Sequence, residues 1–213
     1  MLLAVERDFE RLQTRIRSNC GEYDAYPLVS DVVFSIAPLA LHPDRSAVAA
    51  TLAFWRSISG AISFDRGCSP QTAGAIRAFL SPISVHVTSI DLKPSRLAAG
   101  HRSGLLGTEI KGCSDRQDLL IRFSEDAVGA YFSPTEAIIS SNCVVFAKYR
   151  SANAIAAWFP FIAGAMLLSE DFLLSSITIP YSKEKLSDCE RASFEAARQL
   201  LASCAIHLRL QAE

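Results

Sequence analysis

Asp91, Glu109 and Lys111 are the residues of this chain whose types and spacing could carry a reaction. The segment from Ile90 to Gly112, IDLKPSRLAAGHRSGLLGTEIKG, ends an apolar run on Asp91 and closes on Glu109-Ile110-Lys111. A metal-dependent nuclease needs acids at the ends of neighbouring strands, because Mg²⁺ takes oxygen ligands. It also needs a lysine to position water and offset charge developing on phosphate. Glu109 and Lys111, two positions apart on a strand, share one face. With 22 acidic side chains and five lysines, however, this spacing arises easily by chance, and Asp91-Leu92-Lys93 shows it again. The competing reading is a charged strand edge on which lysines block pairing. Mg²⁺ enters only with the nuclease reading; otherwise no cofactor or metal is expected, and no catalytic residue is assigned.

The same segment packs four of the chain's ten glycines into Gly100, Gly104, Gly107 and Gly112. Successive glycine amides beside a cation can cradle an anion, which makes Gly100, His101, Arg102, Gly104 and Gly107 candidate ligand-binding residues. The spacing matches neither a P-loop nor a dinucleotide fingerprint. An exposed connecting loop explains it better, and that is the form expected for it.

Other chemistry finds little support. The four histidines are scattered, no nucleophile elbow is present, and the cysteines at 20, 68, 113, 143, 189 and 204 form no Cys-x-x-Cys pair. The stretch CSPQTAGAIRAFL could serve as a nucleic-acid recognition helix exposing Gln71, Thr72 and Arg77. A net charge of −1, from 21 basic and 22 acidic residues, gives no field to hold a polyanion, so strong nucleic-acid binding is not expected.

Half of the residues are apolar and 20% are charged, which points to a globular chain with a large core or a covered apolar face. Charges at Glu6, Arg7 and Asp8 interrupt any secretory h-region, and the scattered cysteines suit reduced thiols, so a cytoplasmic location is expected. The 19 uncharged residues between Arg150 and Glu170 approach a membrane span in length. Asn153, Pro160 and Gly164 turn the reading to a buried, kinked helix, with no membrane association expected.

Elements follow from periodicity and punctuation. Val5, Phe9, Leu12 and Ile16 make a helical stripe over residues 2–18. A second, buried helix is expected from Pro27, ended or kinked by Pro38, and a third from Asp44 with Val48, Leu52 and Trp55 on one face. AISF reads as a strand. Ser69 and Pro70 mark a helix start, and ISVHVTSID alternates as a strand. LLGTEIK, DLLIRF and AVGAYF, separated by short connectors, suggest an antiparallel meander. Ser133 and Glu136 have capping-box spacing, as do Ser187 and Glu190, so each predicts a helix start. NCVVFAKY and FLLSSITIP read as strands, and Phe194, Ala197, Leu201, Cys204 and Leu208 make one terminal helical stripe.

No sequence repeat is visible. The expectation is one α+β domain over residues 1–213, with a mixed, mostly antiparallel sheet and a long C-terminal helix packed on it. The expected function is contact: a non-catalytic intracellular subunit, adaptor or regulator whose apolar surface meets a protein partner or a second copy. A nuclease and a nucleic-acid-binding regulator stand as alternatives.

Overall fold

The computed structural model describes residues 1–21, 24–27, 29–107, 118–125, 129–148, 154–181 and 186–211. Its first element corrects the helix expected over residues 2–18. Strands β1 (Leu2–Asp8) and β2 (Gln13–Asn19) pair antiparallel from Leu2↔Asn19 to Asp8↔Gln13. Leu3 and Val5 alternate inward on β1, and Thr14, Ile16 and Ser18 do so on β2. The helical stripe is split: Val5 and Ile16 pair directly in the core, whereas Phe9 and Leu12 stand on the turn, 52% and 64% exposed. Two strands and a four-residue turn can mimic a 4-3-4 spacing, and period two decides between them here.

The helix expected from Pro27 is likewise replaced by strand β3 (Asp31–Phe34), antiparallel to β2 with Val32 and Phe34 inward. Helix α1 (Pro43–Phe54) begins at the predicted place, capped by His42, whose Nδ1 accepts from the Asp44 amide at 3.1 Å. It is buried from Asp44 to Phe54. Strand β4 (Gly60–Phe64), helix α2 (Pro70–Phe79) and strand β5 (Val85–Val87) follow as predicted. Ser69 caps α2, its hydroxyl accepting from the Thr72 amide at 3.2 Å. These five strands form one sheet in the order β3-β2-β1-β4-β5, with β1, β4 and β5 mutually parallel.

The second sheet contains β6 (Arg102–Leu106), β7 (Asp118–Ser124), β8 (Ala130–Phe132), β9 (Glu136–Ser140), β10 (Leu174–Ile179) and β11 (His207–Leu210). Its order is β11-β10-β6-β7-β9-β8, and every described pairing except β8–β9 is parallel. The mostly antiparallel sheet and the meander are therefore corrected. β9 inserts between β8 and β7, which makes β7 and β9 parallel although only β8 separates them in sequence. An α+β fold with mixed sheets remains.

Ser133 and Glu136 do bond to each other, the Glu136 amide donating to the Ser133 hydroxyl at 2.9 Å, but they close the β8–β9 hairpin instead of starting a helix. NCVVFAKY holds a helix, α3 (Cys143–Lys148), not a strand. In the uncharged span, a 3-10 turn (Ala156–Trp158) leads into α4 (Phe159–Leu167), which is almost wholly buried. Pro160 sits in its first turn, so it starts this helix and kinks nothing. Helix α5 (Asp188–Ala202) has the predicted capping box at Ser187 and Glu190. It stops at Ala202, however, and Leu208 of the expected stripe belongs to β11.

The two halves repeat a pattern that the sequence does not display. Each has a central strand (β1 or β6), then a helix (α1 or α4) leading to a parallel neighbour (β4 or β10). A second helix (α2 or α5) then leads to the next parallel strand (β5 or β11). α1 packs on α4 and α2 on α5, so the helices of both halves lie between the sheets. Phe34, ending β3, bridges Ser141, just past β9. Elements meeting their own counterparts are what a two-fold relation between halves produces. One apolar cluster runs through both. Gly164 of α4 lies where they meet: a methyl there would come within 2.6 Å of both Phe34 and Phe123.

Candidate binding site

Where the carboxyl ends of β3 and β9 meet, the two sheets leave a cleft of about 600 Å³. Open sheets bind ligands beyond the carboxyl ends of their parallel strands, and pockets favour the seam between structural units. Three segments distant in sequence build this one: Arg11–Gln13, Ser35–Ala37 and Gly129–Phe132.

The first wall is the β1–β2 turn. The Asp8 carboxylate accepts from the Arg11 amide at 2.9 Å, which folds the chain back. Leu12 then takes φ 50°, a left-handed conformation that costs a branched residue roughly 1–2 kcal/mol. The turn thus holds an exposed leucine in a strained backbone at the edge of a cleft.

The floor is pinned by groups from both halves. The Ser35 amide donates to Ser140 O at 2.9 Å, and the Thr14 hydroxyl to Ile36 O at 2.6 Å. Arg7 Nη1 donates to Pro38 O and Leu39 O at 3.0 and 2.9 Å, while the Asp171 carboxylate accepts from the Leu39 and Ala40 amides. A segment this bonded presents Ile36 and Ala37 in fixed positions. On the far wall Phe132, 46% exposed, packs at a tilt against Phe172 with ring centroids 5.7 Å apart. Arg7 lies over the Phe9 ring at 5.3 Å in the adjoining turn, and Tyr131, 59% exposed, alternates with Ala130 and Phe132 onto the other face of β8.

The lining holds one ionisable side chain, Arg11, whose ion pair with Asp8 is long, at 3.8 Å, and exposed. An adjoining hollow mixes Arg7, Arg11 and Arg15 with Glu6, Asp8 and Glu10, which gives no net field for phosphate. Among the described residues the lining shows no nucleophile–base pair and no carboxylate pair, and its fixed apolar surfaces can hold and orient a ligand.

The residues singled out from the sequence lie elsewhere. Asp91 is exposed, and its carboxylate accepts from the Lys93 amide at 2.8 Å, a local turn. Glu109 and Lys111 lie outside the described residues. Among the described residues no group of His, Cys, Asp or Glu could hold a metal. The glycine segment is not the open loop expected. Gly100 lies against the backbone of Leu173 and Leu174, and the amides of His101 and Arg102 both donate to Leu173 O. Gly104 is buried inside β6 against Ile121 and Leu174, and the Gly107 amide donates to Ile121 O at 3.2 Å. Arg102 Nη2 donates to Pro134 O at 2.7 Å. These amides serve the sheet, and the five residues do not gather around one cradle. On α2, Thr72 is buried, with its hydroxyl near those of Ser69 and Ser203, so the recognition face expected there is incomplete. No helix among the described residues is long and apolar enough to cross a membrane.

A second polar cluster is closed. His42 accepts from the Asp44 amide through Nδ1, leaving Nε2–H for Ser95 O and Oγ at 3.1 and 3.0 Å. The Asp44 carboxylate accepts from the Ser69 amide at 2.6 Å, joining the starts of α1 and α2. Arg45, 1% exposed, donates to Ala98 O at 2.8 Å and faces Glu170 at 3.8 Å, while its Nε has no partner. Burial holds this guanidinium below its ordinary pKa, with Glu170 acting in the opposite sense. The cluster fastens the segment 95–98 onto α1.

Against this geometry, comparison with protein-family models, curated proteins and solved structures gives no match. The cleft must be read from its own atoms. Sequence reasoning missed it because Leu12, Ile36 and Phe132 come together only through the crossing of the halves. One local signal was available: Phe9 and Leu12 sit among charges in RDFERLQ, and Tyr131-Phe132 precede a Ser-Pro turn, so each pair marks an apolar loop edge.

Proposed function

We propose that the protein is a non-catalytic interaction module which holds a protein partner in the cleft between its halves. The observation that carries this reading is the cleft's composition. It is bordered by exposed Leu12 and Phe132 and floored by hydrogen-bonded Ile36 and by Ala37, and among the described residues its lining carries no acid–base pair. Aromatic and aliphatic anchors around a fixed floor are the usual basis of a contact hot spot. A reducing, cytoplasmic setting belongs to the same reading. The apolar core shared by the halves supports treating residues 1–213 as one domain.

Site-specific photo-crosslinking tests the reading. A photoreactive residue at Leu12 is expected to capture a protein partner in the native cell, whereas one at Gln71, exposed on α2, captures none. Equal capture from both positions, or none from Leu12, overturns it.

A further inference from the structure

The β8–β9 register fixes which groups of β8 are free. Its Cα partners are Ala130↔Ile139, Tyr131↔Ile138 and Phe132↔Ala137. The Ser140 amide donates to Gly129 O at 3.0 Å, and the Ser133 amide to Glu136 O at 2.8 Å. Antiparallel pairs alternate between bonded and non-bonded, so Tyr131 bonds to β9 while Ala130 and Phe132 turn both N–H and C=O away from it. β8 ends the sheet order, so these groups face an open edge. Ala130 and Phe132 also line the cleft. An unpaired ladder and an apolar hollow therefore adjoin at the same two residues.

Resting on the interaction reading above, we propose that the partner enters as an extended peptide segment that adds a strand to β8. Its main chain pairs with Ala130 and Phe132, and its alternate side chains enter the hollow beside Leu12, Ile36 and Ala37. Backbone pairing gives such complexes affinity and the side-chain pockets give them selectivity. A three-residue edge spans roughly 10 Å at about 3.4 Å per residue, so a segment of about four to six residues suffices. An acidic residue at one end suits Arg11, whose pairing with Asp8 is long and exposed. A second copy fits less well. Two such short edges paired by a two-fold axis would leave the hollows unfilled and bring each Arg11 towards its counterpart. Native sheets blunt free edges with charge, proline or short strands; Ala130-Tyr131-Phe132 carries no charge and no proline, and its shortness limits pairing to a short peptide segment.

Octapeptide-library selection on the full chain, followed by N-methylation of the selected peptide, tests the proposal. The expected sequences alternate apolar residues. N-methylation at alternate positions should weaken binding about tenfold or more, while at the intervening positions it should have little effect, as one-edged pairing requires. Ala130→Pro should weaken binding similarly without removing a β9 bond, because that N–H faces outward. Leu12→Asp, on an exposed turn, is the second variant and should abolish binding with the fold retained.

A selected peptide indifferent to N-methylation everywhere, yet lost with Leu12→Asp, overturns strand addition and leaves the cleft as the contact site. Peptides insensitive to both variants overturn both readings. Recovery of no octapeptide overturns strand addition. So does a dimer, seen by sedimentation, that Ala130→Pro dissolves, since a second copy then occupies the edge.

Discussion

Beside β1 the chain doubles back at once through a four-residue turn, whereas beside β6 the neighbouring strand β7 runs in the same direction. The helix–strand–helix–strand unit on the other side of each central strand is otherwise shared. The difference decides where surface is left open. The first half, where β2 runs antiparallel to β1, projects a tight apolar turn, and the second half, where β7 runs parallel to β6, finishes on a short edge hairpin. Since β3 and β9 meet at their ends, turn and hairpin come to face each other. The shared unit builds the core, and the unshared strands build the cleft.

The sharpest contrast is in how the central strands are entered. An added Cβ at Gly100, just before β6, would overlap the backbone carbonyl of Leu174. Neither backbone can yield without breaking the β6–β10 pairing, so Gly100→Ala should destabilise by about 3 kcal/mol or more. Gly104→Ala, inside β6, meets only the flexible ends of Ile121 at 3.1 Å and Leu174 at 3.3 Å and should cost about 1 kcal/mol. Urea denaturation of both variants checks this; equal losses would mean that the entry to β6 is no tighter than its middle.

Alkaline titration compares the two cores next. Burial pushes the thiols of Cys68, in the first half, and of Cys143 and Cys204, in the second, from 9.0 up to about 12. An unfolded thiol loses its proton near pH 9 while the folded one keeps it. The stability tied to these protons is therefore complete below about pH 9 and drains away as pH rises towards 12. Each thiol contributes a slope of up to about 1.4 kcal/mol per pH unit within that window. Cys143→Ala should flatten the fall in denaturation midpoint. An unchanged slope would show that this thiol ionises normally in the fold.

The legibility of the sequence follows the same division. The shared unit was readable where local chemistry marks an end: Ser69 and Pro70 for α2, Ser187 and Glu190 for α5, the helix around Val48 and Leu52, and the apolar run of β10. The unshared strands were not. Val5, Phe9, Leu12 and Ile16 fit a helix as well as a hairpin, and only pairing across the sheet separates the two. Ser133 and Glu136 make one of the two bonds their spacing suggests, while the Glu136 carboxylate pairs with Arg122 and the strand at Ile138 and Ile139 turns the cap into a hairpin corner. Gly104 looked like part of a loop because glycines favour turns; in β6 its missing side chain makes room for Ile121 and Leu174. The cleft joins residues 11–13, 35–37 and 129–132, and no local pattern links them.

The smallest effect expected on stability belongs to the turn itself. Leu12→Gly removes the strained φ but adds freedom to the unfolded chain, so the two terms should cancel to within about 1 kcal/mol. Partner capture at the cleft should nonetheless fall, because Leu12 is one of its anchors. Thermal denaturation and photo-crosslinking from Phe9, read on one variant, separate stability from contact. A large loss of stability would show that Leu12 holds the fold and not the cleft.

The central claim is that β8 offers an open edge at the cleft, and residue-resolved amide hydrogen exchange by NMR measures it most directly. In the free protein the Ala130 and Phe132 amides should exchange about a hundredfold faster than the Tyr131 amide, which donates to β9. Equal protection at all three positions would contradict the open edge, and the strand-addition proposal would go with it.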